Sequence, residues 1–146
     1  MRIEDEVKLD YSDVLIRPKR STLGSRKQVR MERKFEFRHY GNLQDKEYHY
    51  EGIPIMASNM DGVGTFEMAD TLAREQLMTC LVKTYEVMEL VNYFDGIEND
   101  DNFRTEYVAM SIGITERDDE KFRNVYEQVD RKLKYCLLYT SDAADE

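Results

Sequence analysis

An α/β protein with a parallel sheet is what this 146-residue chain predicts, and three observations carry the prediction. Apolar runs of strand length recur at residues 53–58, 77–82 and 107–112. A stretch with apolar residues at helical spacing follows each of them. The composition is that of a folded domain, 41% hydrophobic and 35% charged with 7 Gly and 2 Pro. Collagen-like, low-complexity and wholly disordered classes are excluded by those proportions.

The elements can be justified in order from residue 53. Ile53-Pro54-Ile55-Met56-Ala57-Ser58 reads as a short buried strand, with Pro54 near its start where a missing N–H is tolerated. Thr65 to Arg74 is a helix that puts Phe66, Ala69, Leu72 and Ala73 on one side. Leu77 to Val82 is the second strand, and the next helix places Val87, Leu90, Val91 and Phe94 on one face. Tyr107 to Ile112 is the third strand. The helix after it starts at Thr115, with Asp118 placed as in a capping box, and offers Phe122, Val125, Tyr126, Val129 and Leu133 to the core. Three strand–helix units in series argue for a parallel sheet. A (β/α)₈ barrel needs about 250 residues, and the rhythm alone does not choose between barrel and open sheet.

The first fifty residues differ. Apolar and charged residues mostly alternate from Val29 to Arg38, as in a strand with one wet face. Tyr48-His49-Tyr50 supplies a partner strand across a turn at Gly41–Lys46. The expectation is an N-terminal β-hairpin extension packed on the α/β body.

Charge and cysteine usage bound the setting. A net charge of −9 gives no electrostatic reason to bind nucleic acid. No apolar run approaches the roughly 18–20 residues that cross a bilayer, and the charged start Met1-Arg2-Ile3-Glu4-Asp5-Glu6 argues against a signal peptide. Two cysteines, Cys80 and Cys136, make no disulfide framework, which fits a reducing cytoplasm. The last eleven residues, Cys136 to Glu146, read as one frame of a transposon-end adapter used in sequencing libraries. The expected organisation is therefore residues 1–135 as the N-terminal part of a single domain and 136–146 as a non-native tail.

Ligands of parallel α/β proteins meet the carboxyl ends of the strands. Those ends read Ser58-Asn59-Met60-Asp61-Gly62, Lys83-Thr84-Tyr85 and Ser111-Ile112-Gly113-Ile114-Thr115. Lys83 directly follows a buried strand, where a cation either snorkels to water or binds an anionic or polar ligand. Met60 either fills a gap in the core or packs on a planar base. Asp61 suits a cap more than catalysis. Cys80 lies inside a strand and reads as an inert buried thiol. His39 and His49 have no metal-ligand spacing around them. The basic stretch from Arg17 to Lys27 is either a solvated loop or a phosphate grip using backbone N–H groups, Ser25 and Arg26. There is no Walker A sequence, dinucleotide fingerprint, CxxC or GxSxG.

Two long stretches carry a family resemblance. Lys8-Leu9-Asp10-Tyr11-Ser12-Asp13-Val14-Leu15-Ile16-Arg17-Pro18-Lys19-Arg20-Ser21-Thr22-Leu23, followed by Ser25-Arg26, resembles the opening of GMP reductases. So does Gly52-Ile53-Pro54-Ile55-Met56-Ala57-Ser58-Asn59-Met60-Asp61, continuing through Val63-Gly64-Thr65-Phe66-Glu67-Met68-Ala69. After Tyr85 the match thins to Ser111, Gly113 and the run near Glu120-Lys121.

The resemblance implies a (β/α)₈ TIM barrel, of which this chain would hold the first three βα units. It implies NADPH-dependent reductive deamination of GMP to IMP and ammonia, with a cysteine thiolate attacking the purine at C2. Ser25 and Arg26 match a pair that contacts the cofactor of a neighbouring subunit, and Lys83 matches a cofactor-contacting lysine, which favours ligand binding at that position. Ser58 and Met60 match a loop near the bound nucleotide. A cytoplasmic homotetramer with a monovalent cation, potassium, is implied for the parent enzyme. The cation site and the nucleophilic cysteine would lie outside this stretch, so no catalytic or metal-ligating residue is assigned here and the fragment itself is expected to be inactive.

Two departures stand out. Val82 and Thr84 flank Lys83 where the family usually has histidines, and Gly62 replaces a usual threonine. The alternatives are an IMP dehydrogenase-type oxidoreductase and a non-catalytic nucleotide-binding or structural fragment. Asn59 before Met60 favours the reductase, because the dehydrogenase pattern usually has proline there.

Overall fold

A computed structural model describes residues 7, 9–37, 49–96, 106–129 and 132–138. The chain divides into two units, Met1–Arg30 and Met31–Glu146.

The described part of the first unit has two short 3₁₀ turns, Tyr11–Asp13 and Arg26–Gln28. Asp10 opens the first: its carboxylate accepts the Tyr11 N–H at 2.6 Å, while Asp13 accepts the Asp10 N–H at 3.0 Å. Ser25 opens the second in the same way, its Oγ accepting the Lys27 N–H at 3.3 Å. Apolar side chains here meet solvent, Leu15 and Ile16 being 98% and 96% exposed.

The second unit is a five-stranded sheet in the order β1-β2-β3-β4-β5. Its elements are β1 (Arg33–Glu36), β2 (His49–Ala57), α1 (Phe66–Arg74), β3 (Leu77–Leu81), α2 (Val87–Asp95), β4 (Val108–Ile112), α3 (Glu116–Val129) and β5 (Tyr135–Leu138). β1 runs antiparallel to β2, and every later pair is parallel. The sequential order, with helices between parallel neighbours, is the strand–helix rhythm read from the apolar periodicity.

Two features differ from that reading. The hairpin partner and the first parallel strand are one continuous strand. Its first half pairs with β1, from Glu36↔His49 to Arg33↔Gly52, and its second half with β3, from Ile53↔Leu77 to Ala57↔Thr79. The register shifts between Ile53 and Met56, the stretch that holds Pro54, whose missing N–H suits a break in the ladder. The proposed turn at Gly41–Lys46, like His39, lies outside the described residues. The second difference is a fourth parallel strand. Tyr135 to Leu138 pair with Ala109 to Ile112, so Cys136, Leu137 and Leu138, set aside with the tail, are built into the sheet.

The core forms on the helix-bearing face. Leu81, Val108 and Met110 pack with Ala69 of α1, Leu90 and Phe94 of α2, and Val125 and Val129 of α3. Burial of each large side chain contributes roughly 1.5–3 kcal/mol. The other face carries Tyr50, Met78, Cys80 and Ala109, with Tyr107, Tyr135 and Leu137 against them. Tyr50 is its hub: ring centroids of Phe35, Tyr107 and Tyr135 lie 6.3, 6.0 and 6.4 Å away. The Tyr50 hydroxyl donates to the Ile53 carbonyl at 2.7 Å, and desolvation holds its pKa above the ordinary tyrosine value.

Candidate functional site

The loop that leaves β2 is joined to the end of β3 by a backbone hydrogen bond, and the end of β4 is tied to β3 by a side chain. Ser58 to Thr65 turns back sharply, because the Met60 carbonyl accepts the N–H groups of Val63 and Gly64 at 3.0 and 2.9 Å. The Gly64 carbonyl then accepts the Val82 N–H at 2.9 Å. Gly64 is buried, and a Cβ there would collide with the Cys80 carbonyl oxygen and lie 2.8 Å from the Val82 nitrogen. Only glycine lets the first loop lie this close to the end of β3. Gly62 has φ +75°, the left-handed region that a β-branched side chain avoids.

Thr65 caps α1, its Oγ1 accepting the Met68 N–H at 3.2 Å. The helix cap is therefore Thr65, and Asp61 stands exposed in the turn before it. Met60 is 62% exposed, so the core-filling alternative for this side chain does not hold. Ser58 is also exposed on the same loop.

Lys83 is exposed on the next loop. Its carbonyl accepts the Lys121 ammonium at 2.7 Å, and the Tyr85 carbonyl accepts the same ammonium. The Tyr85 ring stacks on Phe66 with centroids 4.0 Å apart, and Phe66 stacks on Tyr93 at 4.3 Å. At the end of β4, the buried Ser111 donates its Oγ–H to the Leu81 carbonyl at 2.6 Å, tying the third strand end to the second.

Asp118 closes this edge in the capping box anticipated from the sequence. It accepts the Thr115 hydroxyl at 2.6 Å and the Thr115 N–H at 3.3 Å, while its own N–H donates back to Thr115 Oγ1 at 3.2 Å. The Thr115 hydroxyl, the backbone N–H groups of Thr115 and Gly113, and the positive charge of Lys83 hold its carboxyl below the usual range. Lys121 is also held below its ordinary value, chiefly by burial, with Arg117 adding to the effect.

Among the sequence-predicted residues, the structure places Ser58, Met60 and Lys83 on two loops joined through Gly64 and Val82. Ser25 and Arg26 are exposed in the other unit. Cys80 is fully buried, and burial pushes its thiol up to about 12, which matches the inert reading. His49 begins β2 and its carbonyl accepts the Tyr135 hydroxyl at 3.2 Å. Sequence reasoning gave Lys121 no role. A signal was present: a lysine soon after Glu116, Asp118, Asp119 and Glu120, near a helix N-terminus where a cation is disfavoured.

No family model matches the chain. Curated proteins do. The chain is 40% identical over 137 residues to the GMP reductase of Vibrio vulnificus, covering 94% of this chain and 37% of that protein. It is 44% identical over 128 residues to the GMP reductase of Citrobacter koseri, covering 88% and 34%. For the GMP reductase of Ascaris suum the identity is 40% over 145 residues, 99% of this chain and 38% of the relative, so that match runs into the last eleven residues. The chain spans a little over a third of the length of these relatives. The resemblance first carried by Lys8 to Leu23 and Gly52 to Ala69 thus extends over about nine tenths of the chain.

Proposed function

We propose that this chain is the N-terminal part of an NADPH-dependent GMP reductase, converting GMP to IMP and ammonia. The observation that carries the reading is that the loop bearing Ser58 and Met60 is hydrogen-bonded to the strand end that precedes Lys83, at the carboxyl edge of a sequentially ordered parallel sheet, in a chain about 40% identical to GMP reductases. Its helices share one core with one face of that sheet, as in a (β/α)₈ barrel, whereas an open doubly wound sheet carries helices on both faces. The first strands of such a barrel are the fold class we assign.

The exposed groups suit a phosphate-bearing cofactor. Lys83 presents an ammonium on a loop held by its own carbonyl, and Arg26 presents a guanidinium beside the Ser25 turn. In this reading Lys83 contacts the NADPH, Ser25 and Arg26 contact the cofactor of a neighbouring subunit, and Ser58 and Met60 lie near the purine nucleotide. NADPH, when bound, supplies the hydride. The chain's residues supply orientation: the Gly64–Val82 link sets the nucleotide loop against the cofactor loop, and an exposed Met60 offers a polarizable apolar surface to a planar base. The nucleophilic thiol belongs to sequence beyond these residues. Cys80 is unsuited to that role because its buried thiol stays protonated at neutral pH.

The literal 146-residue polypeptide is accordingly inactive in this reading, and the potassium site and homotetramer belong to the full-length parent. A cytoplasmic location is part of the same proposal; among the described residues no helix is long and apolar enough to cross a membrane. The test is turnover by the purified chain and by a chimera joining residues 1–135 to the rest of the Vibrio vulnificus relative. The chimera should oxidise NADPH only when GMP is present, Lys83→Ala should raise its KM for NADPH about tenfold or more, and the chain alone should do neither. A chimera that folds but shows no GMP-dependent NADPH oxidation would overturn the assignment.

A further inference from the structure

Lys121 lies in α3, and its ammonium is committed to main-chain carbonyls of a different segment. Nζ donates to Lys83 O at 2.7 Å and to Tyr85 O. These are successive acceptors on either side of Thr84, in the short stretch between β3 and α2. Strand-end carbonyls pointing out of a sheet have no ladder partner, and an ammonium with three donors can satisfy two of them at once. The opposite side of the loop is held by the Tyr85 ring on Phe66 of α1. Asp118, one turn before Lys121, feels the Lys83 charge. Glu86 at the N-cap of α2, Glu89 within that helix and Asp118 favour the charged form of Lys121, while burial and Arg117 oppose it.

We propose that Lys121 is the positioning residue of the cofactor loop: by gripping the carbonyls of Lys83 and Tyr85 it fixes the backbone from which the Lys83 side chain projects. The two lysines then divide the work. Lys121 is occupied with main chain and half-buried, whereas Lys83 is exposed. A ligand cation on a fixed backbone loses less conformational freedom on binding, so the grip appears as affinity. This inference rests on the assignment of Lys83 to cofactor binding, but the order of the loop can be read without any ligand.

The experiment is amide hydrogen exchange on the whole chain, paired with NADPH titration. Lys121→Met removes the donors and keeps most of the packing. It should speed exchange at Thr84, Tyr85 and Glu86 about tenfold or more while the β3 amides stay protected, and weaken NADPH binding about tenfold. Lys121→Arg should retain most of both. Unchanged loop exchange in Lys121→Met overturns the proposal. In the unmodified chain, the Lys121 ammonium protons should exchange with water more slowly than those of exposed Lys27. That measurement decides the matter if Lys121→Met loses β3 protection, and equal rates for the two ammonium groups overturn the proposal. If the unmodified chain orders the loop yet binds no NADPH, the Lys83 assignment fails while the exchange data still judge Lys121.

Discussion

The Gly64 carbonyl accepts the Val82 N–H at 2.9 Å, and this bond sets the loop after β2 against the end of β3. A methyl group at Gly64 would strike main chain, which has no side-chain freedom to yield. Gly64→Ala should therefore destabilise the chain by about 1–3 kcal/mol, read as a lower urea midpoint. Gly24→Ala, whose Cβ would meet only the Gln28 side chain at 3.7 Å, should move the midpoint little.

Gly62 isolates the backbone contribution, because its φ is +75° and a Cβ there meets nothing within 4 Å. Gly62→Ala should lower stability by about 1 kcal/mol through strain alone. Gly62→Asn should lose less, since Asn visits the left-handed region more readily. Thermal unfolding of the pair checks the order; a loss for Asn as large as for Ala would show that strain is not the cause.

Thr79 is fully buried in β3, and its Oγ1 has no hydrogen-bond partner among the described residues. Strand alternation turns it away from Met78 and Cys80, toward the helix-bearing face. Thr79→Val keeps the shape and removes the orphaned hydroxyl, so stability should rise by about 1 kcal/mol. A lower urea midpoint for this variant would mean that the hydroxyl is satisfied.

Asp118 makes stability depend on acid. Its folded pKa lies below the ordinary 3.8 because Thr115 holds the carboxylate form. The stabilisation is fully present above the unfolded value and disappears as pH falls through the folded one. Asp118→Asn should lower Tm at about pH 6, and the gap to the unmodified chain should narrow as the pH drops below 3.8.

Cys80 acts in the alkaline direction. Its thiol titrates near 12 when folded against an ordinary 9.0, so the unfolded chain ionises first and stability falls as pH rises above 9. Cys136 is exposed as a residue, and partial desolvation of its thiol still raises it to about 11. Thiol labelling of the native chain at about pH 8 should modify the exposed Cys136 slowly and Cys80 only after unfolding. Early labelling of Cys80 would contradict its burial.

Much of the fold was legible because helices and buried strands carry different apolar periods. α1 and α3 begin within a residue of where spacing and capping residues put them, and Thr65 and Thr115 mark those starts through bonds only a few residues long. The carboxyl-end loops followed from the strand direction. Short bonds and local periods involve neighbours in the chain, so the sequence displays them directly.

Determined by sequence alone were the strand–helix alternation, the capping signals, Lys83 at the end of a buried strand, and the GMP reductase resemblance of Lys8 to Leu23 and Gly52 to Ala69. Tertiary structure decided the rest. It made β2 a single strand that changes partner, because ladder pairing depends on which strand lies alongside and the sequence does not name that neighbour. It added β5 to the sheet through pairing with β4. It also brought Lys121 to the carbonyls of Lys83 and Tyr85, more than thirty residues away in the chain, a contact between a side chain and main-chain acceptors that leaves no periodic trace.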